Sequence, residues 1–397
     1  MRSKKALFLG GAYSQVPIII EARRRKWYII TCDYLPDNPG HKIADEYYNV
    51  STTYIEGVLE LAEKIKPDYI IAYASDPAAP VAAYVSEKLG LPTNSYESVR
   101  ILSNKDLFRK NQKDKGFNVP EAVVLTESDN YTEKLNSLKY PFIIKPTDSS
   151  GSKGVSKVTF FREVEHAIRI AFSHSRTKKI IAEEFIDNDL GDIHGDGFVC
   201  DGELVFSCLG DHIYNRRSNP FNPVGTLWPS RYSQEVIKRI ENDVASIIKG
   251  SGFKNGAVNI EARINSEGRH FIMEIGPRSG GHYVPQAIRY ATDFDMVKAI
   301  LDVMEGKMVS IPNGEVKCSA YYAIHSDHNG ELLHLSLDDN LIPFIKEYHQ
   351  YILPGEMVSS FHGANAALGI LLLSFPGATE MNSIMKNIND FIRLKIK

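Results

Sequence analysis

Two acidic residues thirteen positions apart, Glu261 and Glu274, carry the clearest chemical signal in the chain. They lie in two alternating runs, Ala257-Val-Asn-Ile-Glu-Ala-Arg-Ile264 and Phe271-Ile-Met-Glu-Ile275, joined by Asn265-Ser-Glu-Gly268. A two-residue hairpin loop at Glu267-Gly268 sets Ile264 against Phe271, Ala262 against Met273 and Ile260 against Ile275. That register buries one apolar face and places Glu261 opposite Glu274 on the other; a shift by one residue mixes charged and apolar side chains on each face. Facing carboxylates repel unless a divalent cation holds them. Magnesium takes carboxylate oxygens in this way, alongside substrate phosphates. A solvated hairpin with two surface glutamates is the competing reading.

Upstream, Pro141-Phe-Ile-Ile-Lys145-Pro146 reads as a short buried strand ending in a lysine. It runs into Thr147-Asp-Ser-Ser-Gly-Ser-Lys-Gly154, a loop of small residues able to turn several backbone N–H groups toward one anion. No G-x-x-x-x-G-K-[ST] loop occurs. Between loop and hairpin, Ile180-Ile-Ala-Glu-Glu-Phe-Ile186 reads as a strand, followed by an Asp/Gly-rich connection from Asp187 to Gly197.

Taken in order, these pieces resemble the ATP-grasp superfamily over roughly residues 100–300, as a single-copy clamp like those of carbamoyl phosphate synthases and biotin carboxylases. The resemblance implies two α+β subdomains holding ATP between them, with magnesium. It gives Lys105 (in Ser103-Asn-Lys-Asp106) and Lys145 to the phosphates, and Ser149, Ser150, Gly151, Ser152 and Gly154 to the loop over them. It gives the hinge Glu183, Glu184, Phe185 and Ile186 to adenine, Asp192 to ribose, and Glu261 and Glu274 to the metal. Many members carry Glu-x-Asn-Pro-Arg after the second acid; this chain has Glu274-Ile-Gly276-Pro-Arg278, without a side chain at Gly276 for a second metal. The retained Arg278 implies a carboxylate–amine ligase acting through an acylphosphate, on a small carboxylic acid of amino-acid or sugar-acid type and an amine, releasing ADP and phosphate. An ATP-binding sensor without turnover is the alternative, and Gly276 is the feature in its favour.

Positioning these residues requires an α/β and α+β architecture. A Rossmann-like domain is expected over residues 1–95, with strands at Ala6–Leu9, Trp27–Cys32 and Asp68–Tyr73 and helices at Val16–Arg25 and Ile55–Ile65. A small subdomain and hinge follow over 96–186, a large subdomain over 187–309, and a C-terminal α+β lid or packing region over 310–397. The turn at Gly10-Gly11 with Asp33 downstream suggests a dinucleotide site, but it lacks the third glycine of G-x-G-x-x-G. Tyr13, Ser14 and Asp76 follow strand ends and are candidates to line the cleft. Asp201-Gly202 marks a hairpin, and Ser233–Ile248 has the period of an amphipathic helix. Arg216 and Arg217 can anchor a carboxylate or phosphate; His282, in a Gly-rich run after Arg278, can bind the acceptor or carry a proton. Glu380–Ile396 has a helix-like period.

Composition sets the class. The 397 residues are 43% hydrophobic with a net charge of −3, enough for two or three cores and without a basic surface for nucleic acid. Cys32, Cys200, Cys208 and Cys318 form no C-x-x-C pair, against structural zinc or a disulfide framework. The most apolar stretch, Ala366–Phe375, is too short to span a bilayer, and the start reads as a strand without a signal segment. A cytoplasmic enzyme, possible as a homodimer, is expected. A biotin-carrier Met-Lys-Met motif is absent.

Overall fold

The computed structural model describes residues 3–188, 191–215 and 220–397. The apolar runs near the start form parallel strands, Lys5–Leu9, Tyr28–Cys32, Glu46–Tyr48 and Tyr69–Ile71, with Lys5–Leu9 between Tyr28–Cys32 and Tyr69–Ile71. The central strands are apolar on both sides because helices cover both faces. Gly10 follows the first strand with φ +112°, and a Cβ there would stand 2.3 Å from the Gln15 amide. Gln15 donates to the carbonyls of Leu9 and Tyr73 and accepts from Ala12 N. Its side chain fills the turn in which a dinucleotide's pyrophosphate would have to sit.

Two helices, Tyr96–Ser103 and Lys105–Asp114, lead into the small subdomain. Its four antiparallel strands run in the order Ala122–Thr126, Lys179–Glu184, Phe142–Pro146, Ser156–Val158. Helix Val164–Ser173 backs them, burying Val164, Ala167, Ile168, Ala171 and Phe172 at helical spacing.

The large sheet has eight antiparallel strands and begins at its edge with the acidic hairpin, His270–Gly276 and then Gly256–Ile264. Ile193–Cys200, Glu203–Tyr214 and Pro223–Trp228 follow, and Ser319–Ile324, Gly369–Ser374 and Ile345–Gln350 complete it. Three strands of the C-terminal stretch therefore continue the sheet that carries the acids; they do not form a separate lid. Helix Gln234–Ser251 packs across the sheet through Ile240, Val244, Ile247 and Ile248, with Ser233 Oγ capping Val236 N.

Glu380–Ile396 differs from its expectation. The helix is Ala378–Lys386, and the chain then passes a short 3-10 turn into the strand Ile392–Ile396. The five residues of that strand, Ile-Arg-Leu-Lys-Ile, alternate with period two and pair with Gly330–Leu337. Among the described residues, no helix is long and apolar enough to cross a membrane.

Candidate active site

The hairpin forms in the register that apolar matching requires at its critical pair: Ile260 faces Ile275 and Glu261 faces Glu274. Nearer the turn the register differs. Ala262 pairs with Ile272 and Ile264 with His270, in place of Met273 and Phe271. The loop is one residue longer than expected, closed by Asn265 N donating to Arg269 O, and Met273 bulges from the ladder. The bulge has a partner on the neighbouring helix. Arg109 Nη2 donates to Met273 O and Gln112 Nε2 to Ile272 O, each at 2.9 Å, satisfying carbonyls on this edge strand.

Opposite the hairpin, across a cavity of about 330 Å³, stand the small-subdomain residues. Lys145 Nζ lies 2.5 Å from Glu183 Oε2, and Arg109 Nε donates to Glu183 Oε1 at 2.8 Å. Glu183 is 1% exposed. Burial opposes its charge, but the two cations prevail and hold its carboxyl down at about 2. Burial and the neighbouring cations Arg109 and Lys105 push Lys145 below its usual value. The Lys145 end of the cavity thus holds two cations on one carboxylate.

The hairpin end has the opposite imbalance. Lys105 Nζ lies 3.2 Å from Glu274 Oε2 and donates to Ser149 O at 2.9 Å. Burial, then the charges of Glu274 and Asp192, raise the Glu261 carboxyl to about 7. For Lys105, Glu274 and Asp76 outweigh the burial that opposes its charge, and its pKa rises. Arg278 forks onto Asp76, Nε to Oδ1 at 2.6 Å and Nη2 to Oδ2 at 2.5 Å. Arg263 does the same to Asp192, which also accepts from the Tyr214 hydroxyl.

Removing Glu183 tests the cation cluster. Glu183→Gln strands two buried cations, a change that costs about 3–5 kcal/mol at neutral pH. Because the folded carboxyl is depressed, its contribution is complete above the ordinary value of 4.5 and is lost as pH falls toward 2. Urea denaturation without nucleotide is expected to show a wide gap between wild type and variant at pH 7 and a much smaller one at pH 3.

Most of the residues singled out by sequence meet at this cavity. Lys105, Lys145, Ser149, Ser150, Gly151, Ser152, Glu183, Glu184, Ile186, Asp192, Glu261, Glu274, Arg278 and His282 all line it. Ser152 Oγ donates to Phe221 O at 2.6 Å, tying the small-residue loop to the large subdomain. Three placements differ from expectation. The Phe185 ring, just past the end of the strand, lies outside the lining and packs under Lys157 with the ammonium 3.7 Å from its centroid. Gly154 packs against Pro146 and His174, outside the lining. Glu183 holds Lys145 and Arg109, which leaves Glu184 and the Ile186 backbone at the hinge edge. Arg216 and Arg217 lie outside the described residues.

The structure adds residues that the sequence pattern does not single out. Arg109 stands one helical turn after Lys105, on the same face. Asn259 stands two residues before Glu261, hence on the same strand face, and pairs across the ladder with Gly276. A Cβ at Gly276 would lie 3.0 Å from Asp76 Oδ1 and 3.3 Å from Arg278 Cζ. An asparagine at this position would thus crowd the Arg278–Asp76 fork. Deeper in, His194 and His212 stack at 4.0 Å and both reach Thr226 Oγ1. Burial lowers both pKa values, His212 to about 4, so the pair is neutral at pH 7. His282 donates from Nε2 to Ala364 O at 3.0 Å, which leaves Nδ1 as its acceptor. Tyr321 and Ala364 bring the C-terminal stretch into the lining.

The donor set fits magnesium delivered with phosphates. Among the described residues no three His, Cys, Asp or Glu side chains form a metal cluster. Glu261 and Glu274 face one another, and burial together with the Glu274 charge raises the Glu261 carboxyl. Magnesium is commonly held by one or two carboxylates, with phosphates and waters completing its shell.

Known proteins bear on this geometry. Residues 138–286 match the ATP-grasp domain family. The formate-dependent phosphoribosylglycinamide formyltransferase of Prochlorococcus marinus (strain NATL1A) is 32% identical over 192 residues, 47% of this chain and 49% of that protein. The match thus spans about half the length of that curated relative. The alanine–anticapsin ligase of Bacillus subtilis (strain 168) is 23% identical over 306 residues, 70% of this chain and 64% of that one. The crystal structure of an L-amino acid ligase from Bacillus licheniformis matches over 100% of both chains with a TM-score of 0.83 at 18% identity, a likeness of fold. With the order of the motifs and the two sheets facing across the cavity, residues 138–286 carry an ATP-grasp domain, and the whole chain shares the fold of the L-amino acid ligase.

Proposed function

We propose that this protein is an ATP- and magnesium-dependent ligase that joins a small carboxylic acid to an amine through an acylphosphate, releasing ADP and phosphate. The observation that carries this reading is the division of charge within one cavity. Arg109 and Lys145 share a single carboxylate at one end, and Glu261 and Glu274 face each other at the other. A polyphosphate with a divalent cation corrects both imbalances at once. The names of two relatives, an alanine–anticapsin ligase and an L-amino acid ligase, favour an acid of amino-acid type over a sugar acid.

Each group then has a task. Lys105 and Lys145 hold the phosphates beneath the Ser149–Ser152 loop, with Glu183 fixing Lys145 in place. Glu184 and the Ile186 backbone meet adenine, and Asp192 lies on the ribose side. Glu261 and Glu274 hold magnesium, which neutralises phosphate charge. A carboxylate resists attack because oxide is a poor leaving group. Its oxygen therefore attacks the γ-phosphorus, ADP leaves, and the resulting acylphosphate gives up phosphate when an amine nitrogen attacks the carbonyl carbon. Arg278 stabilises charge that develops on the phosphoryl and carbonyl oxygens. His282 Nδ1 is the neutral acceptor available for the proton the amine loses.

Lys145→Ala tests the nucleotide assignment. A charge-assisted contact contributes about 1.5–3 kcal/mol, so calorimetry is expected to show a roughly tenfold or greater loss in Mg-ATP affinity. Unchanged affinity in a folded variant removes Lys145 from the site.

The lack of a side chain at Gly276 favours a second reading, an ATP-binding sensor without turnover. Both readings require Mg-ATP binding; trapping of an activated acid by hydroxylamine separates them.

A further inference from the structure

The acidic hairpin holds two registers. From the turn, Ile264 pairs with His270, Arg263 with Phe271 and Ala262 with Ile272. Continued without interruption, that register sets Met273 against Glu261 and Glu274 against Ile260, which turns Glu274 onto the face that packs in the core. The bulge at Met273 inserts the one residue that returns Glu274 to Glu261. Whatever holds the bulge therefore holds the two carboxylates face to face.

The bulge is held from helix Lys105–Asp114, whose residues 105, 109 and 112 share one face. Arg109 commits each of its guanidinium nitrogens. Nε donates to Glu183 Oε1 at 2.8 Å, Nη1 to Gln112 Oε1 at 3.0 Å and Nη2 to Met273 O at 2.9 Å. Gln112, braced by Arg109, donates to the adjacent carbonyl of Ile272 at 2.9 Å. Arg109 is 4% exposed and Gln112 0%, so losing either contact leaves a buried carbonyl unpaired. Glu183 is the carboxylate that holds Lys145. One planar group thus joins the phosphate lysine to the backbone beside the second acid. A lysine cannot replace it, because an ammonium is a point charge on a flexible stem and the guanidinium is a rigid fork.

We propose that Arg109 is a positioning residue that locks the bulge at Met273, and so fixes the carboxylate pair for magnesium at a set place relative to Lys145. The proposal rests on the Mg-ATP reading given above. Arg109 itself touches neither nucleotide nor metal; it acts through Glu183 and the hairpin backbone.

Calorimetric titration of the full chain with ATP, in EDTA and then in magnesium, tests it. Wild type is expected to bind Mg-ATP more tightly than metal-free ATP, by about tenfold or more. Arg109→Lys keeps the charge beside Glu183 and gives up the bridge. Its metal-free affinity is expected to stay within about threefold of wild type, while the gain from magnesium falls about fivefold or more. Deletion of Met273 removes the bulge and leaves Glu274 opposite Glu261 in a regular ladder, so the gain is expected to persist within about twofold. In that background Arg109→Lys has no bulge to release and is expected to change the gain by less than about twofold. That comparison decides the matter if Arg109→Lys alone fails to fold. An unchanged gain in Arg109→Lys, or equal losses of gain in both backgrounds, overturns the proposal and leaves the nucleotide reading standing. Wild type that binds no Mg-ATP overturns that reading, and the proposal with it.

Discussion

Glu274→Gln is expected to reduce ligation by about 10³-fold or more, because metal stabilisation of transferring phosphoryl charge is worth several kcal/mol. The substitution keeps shape and hydrogen bonding while deleting one of the two charges that face each other across the hairpin. Stability without metal is expected to stay level. The loss of attraction to Lys105, 3.2 Å away, is offset by relief of repulsion on Glu261, whose carboxyl Glu274 helps to raise. Turnover and thermal melting measured on the same preparation check both halves. Intact turnover with a marked fall in melting temperature would make the acidic pair a structural feature.

Arg278→Ala is expected to lower turnover by about 10²–10³-fold, the effect of removing a donor aimed at charge formed only in the transition state. The Mg-ATP affinity should change far less, since Lys105 and Lys145 remain. Asp76 complicates the test. It pairs with two of the three guanidinium nitrogens, and Arg278 keeps its carboxyl below the usual range despite burial. Truncating Arg278 alone leaves that carboxylate without its principal cation, and some of any loss would reflect this stranded charge. The double variant Asp76→Asn/Arg278→Ala removes the ambiguity: if Arg278 acts on the substrate, turnover stays low while stability recovers toward wild type.

The acidic pair was legible in the sequence because alternation of apolar residues fixes which faces meet, and a one-residue slip is costly. Its surroundings were not. The bulge at Met273 depends on Arg109 and Gln112, more than 150 residues away along the chain, and no local pattern announces it. Glu183 shows the same limit. The resemblance gives it to adenine, but its partners are Lys145 and an arginine 74 positions upstream. Phe185 falls just past the strand end, where no periodicity fixes its side, and its ring went to Lys157. In Glu380–Ile396 two periods follow one another, and a single helical reading over the whole segment hid the strand. The C-terminal stretch, expected as a lid or packing region, contributes Tyr321 and the carbonyl of Ala364 to the site, groups with no motif.

The most direct test of the ligase reading is a trapping experiment in which hydroxylamine takes the place of the amine substrate. The full chain is incubated with Mg-ATP, hydroxylamine and a panel of amino, hydroxy and sugar acids, and nucleotide products are resolved together with hydroxamates. Hydroxylamine intercepts an acylphosphate, so one acid or a small group of acids is expected to yield hydroxamate in step with ADP and phosphate. AMP and pyrophosphate in their place would mean adenylation and contradict the acylphosphate route. Tight Mg-ATP binding with no hydroxamate from any acid would contradict ligation and leave the sensor reading.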